Sequence, residues 1–233
     1  MLASIKQKSK REGGFTLPEV IITLFIVAIL SAALMTIYFI FFNQSIRNSF
    51  HARLAVESHS ILRLIVEELR VSSGVRATSM PDAYVLGGAS NWSTSNSNLV
   101  LIIATPAVDS SNNILFNTSA GAPYINEMVY FANNGSLYRR QLADTNATGN
   151  KYKTSCPAAN ASASCPQDAL LTNHFKSLSF TFFDQDNIVI PEATGDITKA
   201  RSIELKIEME HKTFGETVHY SNTIRMTMRN NQI

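Results

Sequence analysis

Four groups of side chains in the 233-residue chain have types and spacings that invite chemistry. The first is a single carboxylate, Glu19, immediately before residues 20–42, a run of 23 residues without Asp, Glu, Lys or Arg. An acid there is either favoured at headgroup level by the positive helix end or awaits a cation, because inside a bilayer it costs up to about 2.5–3.5 kcal/mol. The second is Cys156 and Cys165, in one Ser/Ala-rich loop with a proline after each. In an exported domain such a pair reads as a disulfide; a metal pair is the weaker reading, since His174 is the only histidine close in sequence. The third is Asp184 and Asp186 in Asp-Gln-Asp-Asn, weak calcium candidates, for which a polar hairpin turn is the simpler reading because only Glu192 could add a late acid. The fourth is the five histidines, His51, His59, His174, His211 and His219, scattered and read as surface residues. G-x-S-x-G, H-E-x-x-H, G-x-x-x-x-G-K-[ST] and G-x-G-x-x-G do not occur, so the chain is not read as an enzyme and no cofactor is expected.

The elements that carry these residues follow from patterning. Hydrophobic residues make up 45% and charged residues 16%, which is the composition of a structured protein with one core. Lys6, Lys8, Lys10 and Arg11 against Glu12 give residues 1–14 a charge of +3, leaving the remainder near −1 of the total +2. Nucleic-acid binding, which needs clustered cations, is therefore not indicated. As a helix the run 20–42 is about 34 Å long, enough for a hydrocarbon core of about 30 Å and too long for a secretory signal. The basic cluster places the amino terminus in the cytoplasm and the bulk beyond about residue 43 outside. Phe50, Leu54, Ile61, Ile65 and Leu69 then continue a helical stripe, no Gly or Pro occurs between Glu19 and Ser73, and Ser72-Ser73-Gly74 is a stop. One helix of roughly 55 residues is predicted.

Gly14-Phe15-Thr16-Leu17-Pro18-Glu19 and the apolar run after it resemble the class III signal of type IV pilins and type II secretion pseudopilins. The resemblance implies cleavage after Gly14 by a prepilin peptidase, N-methylation of the new amino terminus at Phe15, and extraction of the helix into a filament. There Glu19 pairs with the α-amino group of Phe15 on a neighbouring subunit, since a carboxylate in an apolar core needs a partner. Many major pilins carry a helix-breaking proline where this chain has Thr36, so a continuous helix is expected and a minor pilin or pseudopilin is favoured.

Beyond the helix, residues 74–126 are rich in Ser, Asn, Ala, Gly and Thr, with one strand candidate at 99–104 and a loop at 87–98. Trp92, in that loop, is expected to be partly buried rather than a contact residue. Strands are predicted at 127–131 and 136–142 around Asn133-Asn134-Gly135, at 177–183 and 188–190 around the Asp184 turn, and at 201–211 and 218–228 by alternation. Together they make an antiparallel meander whose apolar face the helix stripe covers. The sequences Met128-Val129-Tyr130-Phe131, Asn134-Gly135-Ser136-Leu137-Tyr138-Arg139-Arg140 and Arg225-Met226-Thr227-Met228-Arg229-Asn230 look like minor pilins of the PilW kind and minor pseudopilins of the J kind.

The expected fold is thus α+β and pilin-like, a long N-terminal helix packed on an antiparallel β-sheet. The expected parts are a basic leader 1–14, a membrane or filament-core half-helix 15–43, an amphipathic half-helix 44–73 and a β-rich head 74–233. The resemblance implies a minor subunit of a type IV pilus or type II secretion pseudopilus, in assembly initiation or at the tip. Its partners would be other pilins or pseudopilins, the prepilin peptidase and the inner-membrane assembly platform; it would be single-pass in the inner membrane and then in the filament. The alternatives are a tip adhesin or DNA-uptake receptor using the loop 84–98, and a membrane-anchored enzyme or binding protein.

Overall fold

The computed structural model describes residues 14–161, 165, 167–192, 195–213 and 215–228. The chain divides into two compact units, Met1–Asn48 and Ser49–Ile233. The helix α1 (Leu17–Val71) has 55 residues, as the absence of internal Gly and Pro predicts. It stays helical at Thr36, whose hydroxyl donates to the Ala32 carbonyl at 2.9 Å. At its end Arg70 lies in the last turn, where a cation is favoured. The Ser72 hydroxyl takes up the Leu69 carbonyl at 2.8 Å, and Gly74 adopts φ 142° as the chain leaves the helix.

In the second unit the strands form two antiparallel sheets. The first has the order β1-β2-β3-β4-β5, with β1 Gly74–Val75, β2 Val100–Pro106, β3 Ile125–Asn133, β4 Ser136–Leu142 and β5 Ala169–Thr172. The second has the order β7-β6-β8-β9, with β6 Phe175–Phe183, β7 Val189–Ile190, β8 Ser202–Thr213 and β9 Glu216–Thr227. The β3–β4 hairpin closes on Asn134 (φ 50°) and Gly135 (φ 73°), the two left-handed residues of a type I′ turn. Ile203, Leu205, Ile207 and Met209 alternate inward along β8 as their spacing predicts.

The single meander expected from the sequence is instead split between these sheets, and the physical reason lies in β2 and β3. Both are buried almost continuously, so the first sheet needs cover on both faces. On one face Leu101, Ile103, Met128, Tyr130 and Leu137 share a core with Leu54, Ile61, Leu62, Ile65 and Leu69 of α1 and the inward residues of β6 and β8. On the other, Ile102, Val129, Phe131 and Leu142 pack under Val85 and Trp92. The loop expected at the surface is therefore the second cover, and Trp92 is only 3% exposed.

Candidate functional site

The first described residues, Gly14, Phe15 and Thr16, precede α1 and are exposed, Phe15 at 82%. Thr16 is the N-cap position, and both its backbone N–H and its hydroxyl donate to Glu19 Oε2 at 3.2 Å. This is the Glu half of a capping box: the third helical residue reaches back to a donor that has no intrahelical partner. Pro18 occupies the second helical position, where no N–H is needed. The Thr-x-x-Glu spacing was visible in the sequence and is the signal that finds Thr16.

Every large apolar side chain of α1 from Leu17 to Phe42 is exposed. The helix contains an 18-residue window of mean hydropathy 2.8 and is, among the described residues, the one long and apolar enough to cross a membrane. An apolar surface of that extent requires lipid or protein around it.

Residues 9–35 match the family described as the prokaryotic N-terminal methylation motif. The amino-terminal segment thus carries that motif. The motif covers the end of the basic cluster, Gly14, Phe15, Glu19 and most of the apolar run; residues 1–13 lie outside the described residues. A type IV-like pilin from Thermus thermophilus is similar in structure at a TM-score of 0.40 and 7% identity, over 77% of this chain and 97% of that one. No curated protein matches the chain. The motif and the apolar helix that follows it fit a single candidate membrane span among the described residues.

The remaining sequence candidates fall in the second unit. Cys156 and Cys165 are joined by a disulfide, with Cα atoms 5.5 Å apart. Asp184 and Asp186 occupy the β6–β7 turn, where Asp184 Oδ1 accepts from the N–H groups of Asp186 at 2.9 Å and Ile188 at 2.8 Å. Asp184 is thus used as a turn acceptor. Among the described residues no three His, Cys, Asp or Glu side chains are grouped as a metal ligand set.

Three buried polar clusters escaped the sequence reading. Glu68 on α1 accepts from the Tyr130 hydroxyl at 2.6 Å and from Arg139 Nε at 2.7 Å. Burial and the Glu68 charge hold the Tyr130 phenol protonated, well above its ordinary pKa. Arg140 binds Asp168 through two nitrogens, at 2.9 and 2.6 Å, and Asp82 at 2.8 Å, beneath the rings of Trp92 and Phe131. Burial opposes its charge, but the bonds to Asp168 and Asp82 outweigh that and raise its pKa. Glu127 is fully buried on β3, accepts from Met80 N–H at 2.7 Å and lies 3.2 Å from Arg76 Nη1. That ion pair is outside hydrogen-bond geometry, and burial pushes the Glu127 carboxyl above its ordinary range despite Met80 and Arg76. A cleft of about 1170 Å³ adjoins these groups, lined by Arg76, Asp82, Tyr124 and Asp144 among others. Its charged groups are committed to protein partners: Arg76 to Glu127, Asp82 to Arg140 and Trp92, Asp144 to the Asn146 N–H.

The structure also brings together two histidines far apart in sequence. His174 and His211 face each other through their Nδ1 atoms at 3.3 Å, and His211 stacks on Phe50 of α1 at 3.9 Å. Burial lowers the His174 pKa; Glu57 acts against that, and His211 and Arg53 add to it.

Proposed function

We propose that this chain is a minor pilin or pseudopilin, a structural subunit added to a type IV pilus or type II secretion pseudopilus during assembly initiation or at its tip. The observation that carries this reading is the arrangement at the amino terminus. An exposed Phe15 follows Gly14, and a lone acid, Glu19, begins a helix whose large apolar side chains are all exposed as far as Phe42, within a matched methylation motif. Cleavage after Gly14 by a prepilin peptidase gives Phe15 a free amino group, which is then N-methylated. In the membrane Thr16 satisfies Glu19. In the filament Glu19 accepts from the Phe15 ammonium of a neighbour as well, since one carboxylate accommodates several donors. The helix is drawn from lipid into a bundle of like helices with the aid of the inner-membrane platform. The unit beginning at Ser49 is exported, where an oxidising compartment sustains the Cys156–Cys165 disulfide. The protein on this reading makes and breaks no bond of its own.

The test is the intact mass of the protein from sheared filaments and from membranes, with and without the peptidase. A species starting at methylated Phe15 in the filament fraction is expected. Uncleaved chain confined to membranes of peptidase-active cells overturns the reading.

A further inference from the structure

We propose that His174 and His211 form a binding site for a divalent metal ion of the zinc class, with Glu57 supplying compensating negative charge. The motivating geometry is the 3.3 Å separation of the two Nδ1 atoms. A tetrahedral ion with metal–nitrogen bonds of about 2.0–2.1 Å sets two ligand nitrogens roughly 3.3–3.4 Å apart. A direct imidazole hydrogen bond prefers a shorter distance, and only one of the two rings can donate it.

The two rings are held before any ion arrives. The His174 backbone is fixed at both ends: its N–H donates to Thr172 Oγ1 at 2.9 Å and its carbonyl accepts from the Glu210 N–H at 2.8 Å. His211 is held by its place in β8 and by the Phe50 ring stacked on it. The rings stand nearly perpendicular, at 87°, so the two nitrogens meet without the rings overlapping. Imidazole nitrogen suits zinc, copper and nickel, whereas calcium and magnesium prefer oxygen.

A second observation points the same way. Glu57 Oε2 is buried and has no hydrogen-bond partner, and the Glu57 charge acts on His174. A carboxylate oxygen in that state is costly unless a cation or proton donor reaches it. Arg53 opposes a cation at this place and Glu57 favours it, both from α1. Two protein nitrogens leave the rest of the coordination shell to water, in keeping with the lack of a three-residue ligand set among the described residues. The bound ion would tie the β5–β6 connection to β8 beside the Phe50 turn of the helix.

The experiment uses the full-length protein in detergent micelles, stripped with EDTA and titrated with zinc chloride by calorimetry. Binding of one zinc per chain is expected, weakened at least tenfold in both His174→Gln and His211→Gln and unchanged in His219→Gln. Glu57→Gln is expected to weaken it by about tenfold, the range of outer partners that tune metal sites. Melting of the metal-free variants checks folding; His174→Gln is the deciding variant, because Phe50 stacks on the other ring. No zinc uptake, or an unchanged affinity in His174→Gln or Glu57→Gln, overturns the assignment.

Discussion

Arg139 and Arg140 are neighbours on β4 that bind acids on opposite faces of the same sheet, Arg139 pairing with Glu68 of α1 and Arg140 with Asp168 and Asp82. Alternation along a strand makes this unavoidable, since adjacent side chains point to opposite sides. The first arginine therefore ties the sheet to the helix segment beyond Ser49. The second ties it to the segments that form its other cover.

Glu68→Gln removes the charge shared by Tyr130 and Arg139 while keeping the shape. A loss of about 1–3 kcal/mol is expected, the usual range for a buried bond to a charged group. Chemical denaturation of Glu68→Gln, Tyr130→Phe and the double variant checks it, because the two losses should be far from additive.

Arg140→Met leaves Asp82 and Asp168 buried without their cation, with side chains 0% and 5% exposed. Breaking one partner of a buried set costs about 3–5 kcal/mol. Restoring neutrality with Arg140→Met, Asp82→Asn and Asp168→Asn together is expected to recover part of that loss. A triple variant no more stable than the single one in thermal melting would contradict this account.

Glu127 makes stability depend on pH in a defined direction. Its folded pKa lies above its unfolded value, so the folded state binds more protons. The stabilisation is fully present below about 4.3 and is lost as pH rises through the folded value. Glu127→Gln keeps an acceptor for Met80 N–H and does not titrate. The stability difference between variant and wild type should therefore shift in favour of the variant as pH rises from 4 to 7, read by denaturation at each pH.

Reducing the Cys156–Cys165 bond opens a loop of nine residues in sequence separation. A loss of roughly 2.5–3 kcal/mol is expected from the chain-entropy account. Asp168 N–H donates to the Cys165 carbonyl at 3.1 Å, and Ser155 reaches Asp168 Oδ1 at 3.1 Å, so the loop also positions the acid that holds Arg140. Cys156→Ser with Cys165→Ser should cost less in an Arg140→Met background than in the wild type, as measured by melting of all four proteins.

Thr16→Ala and Glu19→Ala separate capping from assembly. Thr16→Ala removes the hydroxyl that donates to Glu19 and leaves the backbone N–H bond, a loss of at most about 1 kcal/mol for one exposed hydrogen bond, and filament incorporation is expected to persist. Glu19→Ala is expected to abolish incorporation while membrane insertion persists. Equal loss in both, scored by immunoblot of sheared filaments, would assign Glu19 to capping alone.

Several of these features were legible in the sequence, because they are set by neighbours in the chain. The helix Leu17–Val71 follows from the uninterrupted run without Gly or Pro that begins at Glu19, with Pro18 in the first turn. The Asn134-Gly135 hairpin follows from two residues that tolerate positive φ, and β8 and β9 follow from period-two alternation. The amino-terminal motif spans residues 9–35 and needs no tertiary contact to be read. Strand pairing, by contrast, was decided by how many faces had to be buried. The doubly apolar β2 and β3 require a second cover, which turned the expected surface loop into a layer over Val129 and Phe131. Arg140 meets Asp82 across 58 positions, Tyr130 meets Glu68 across 62, and His174 meets His211 across 37. Local periodicity assigns each of those residues to a strand, helix or loop but carries no information on which distant partner it faces. Only the packed core, which fixes strand order and register together, brings those charges and imidazoles within bonding distance.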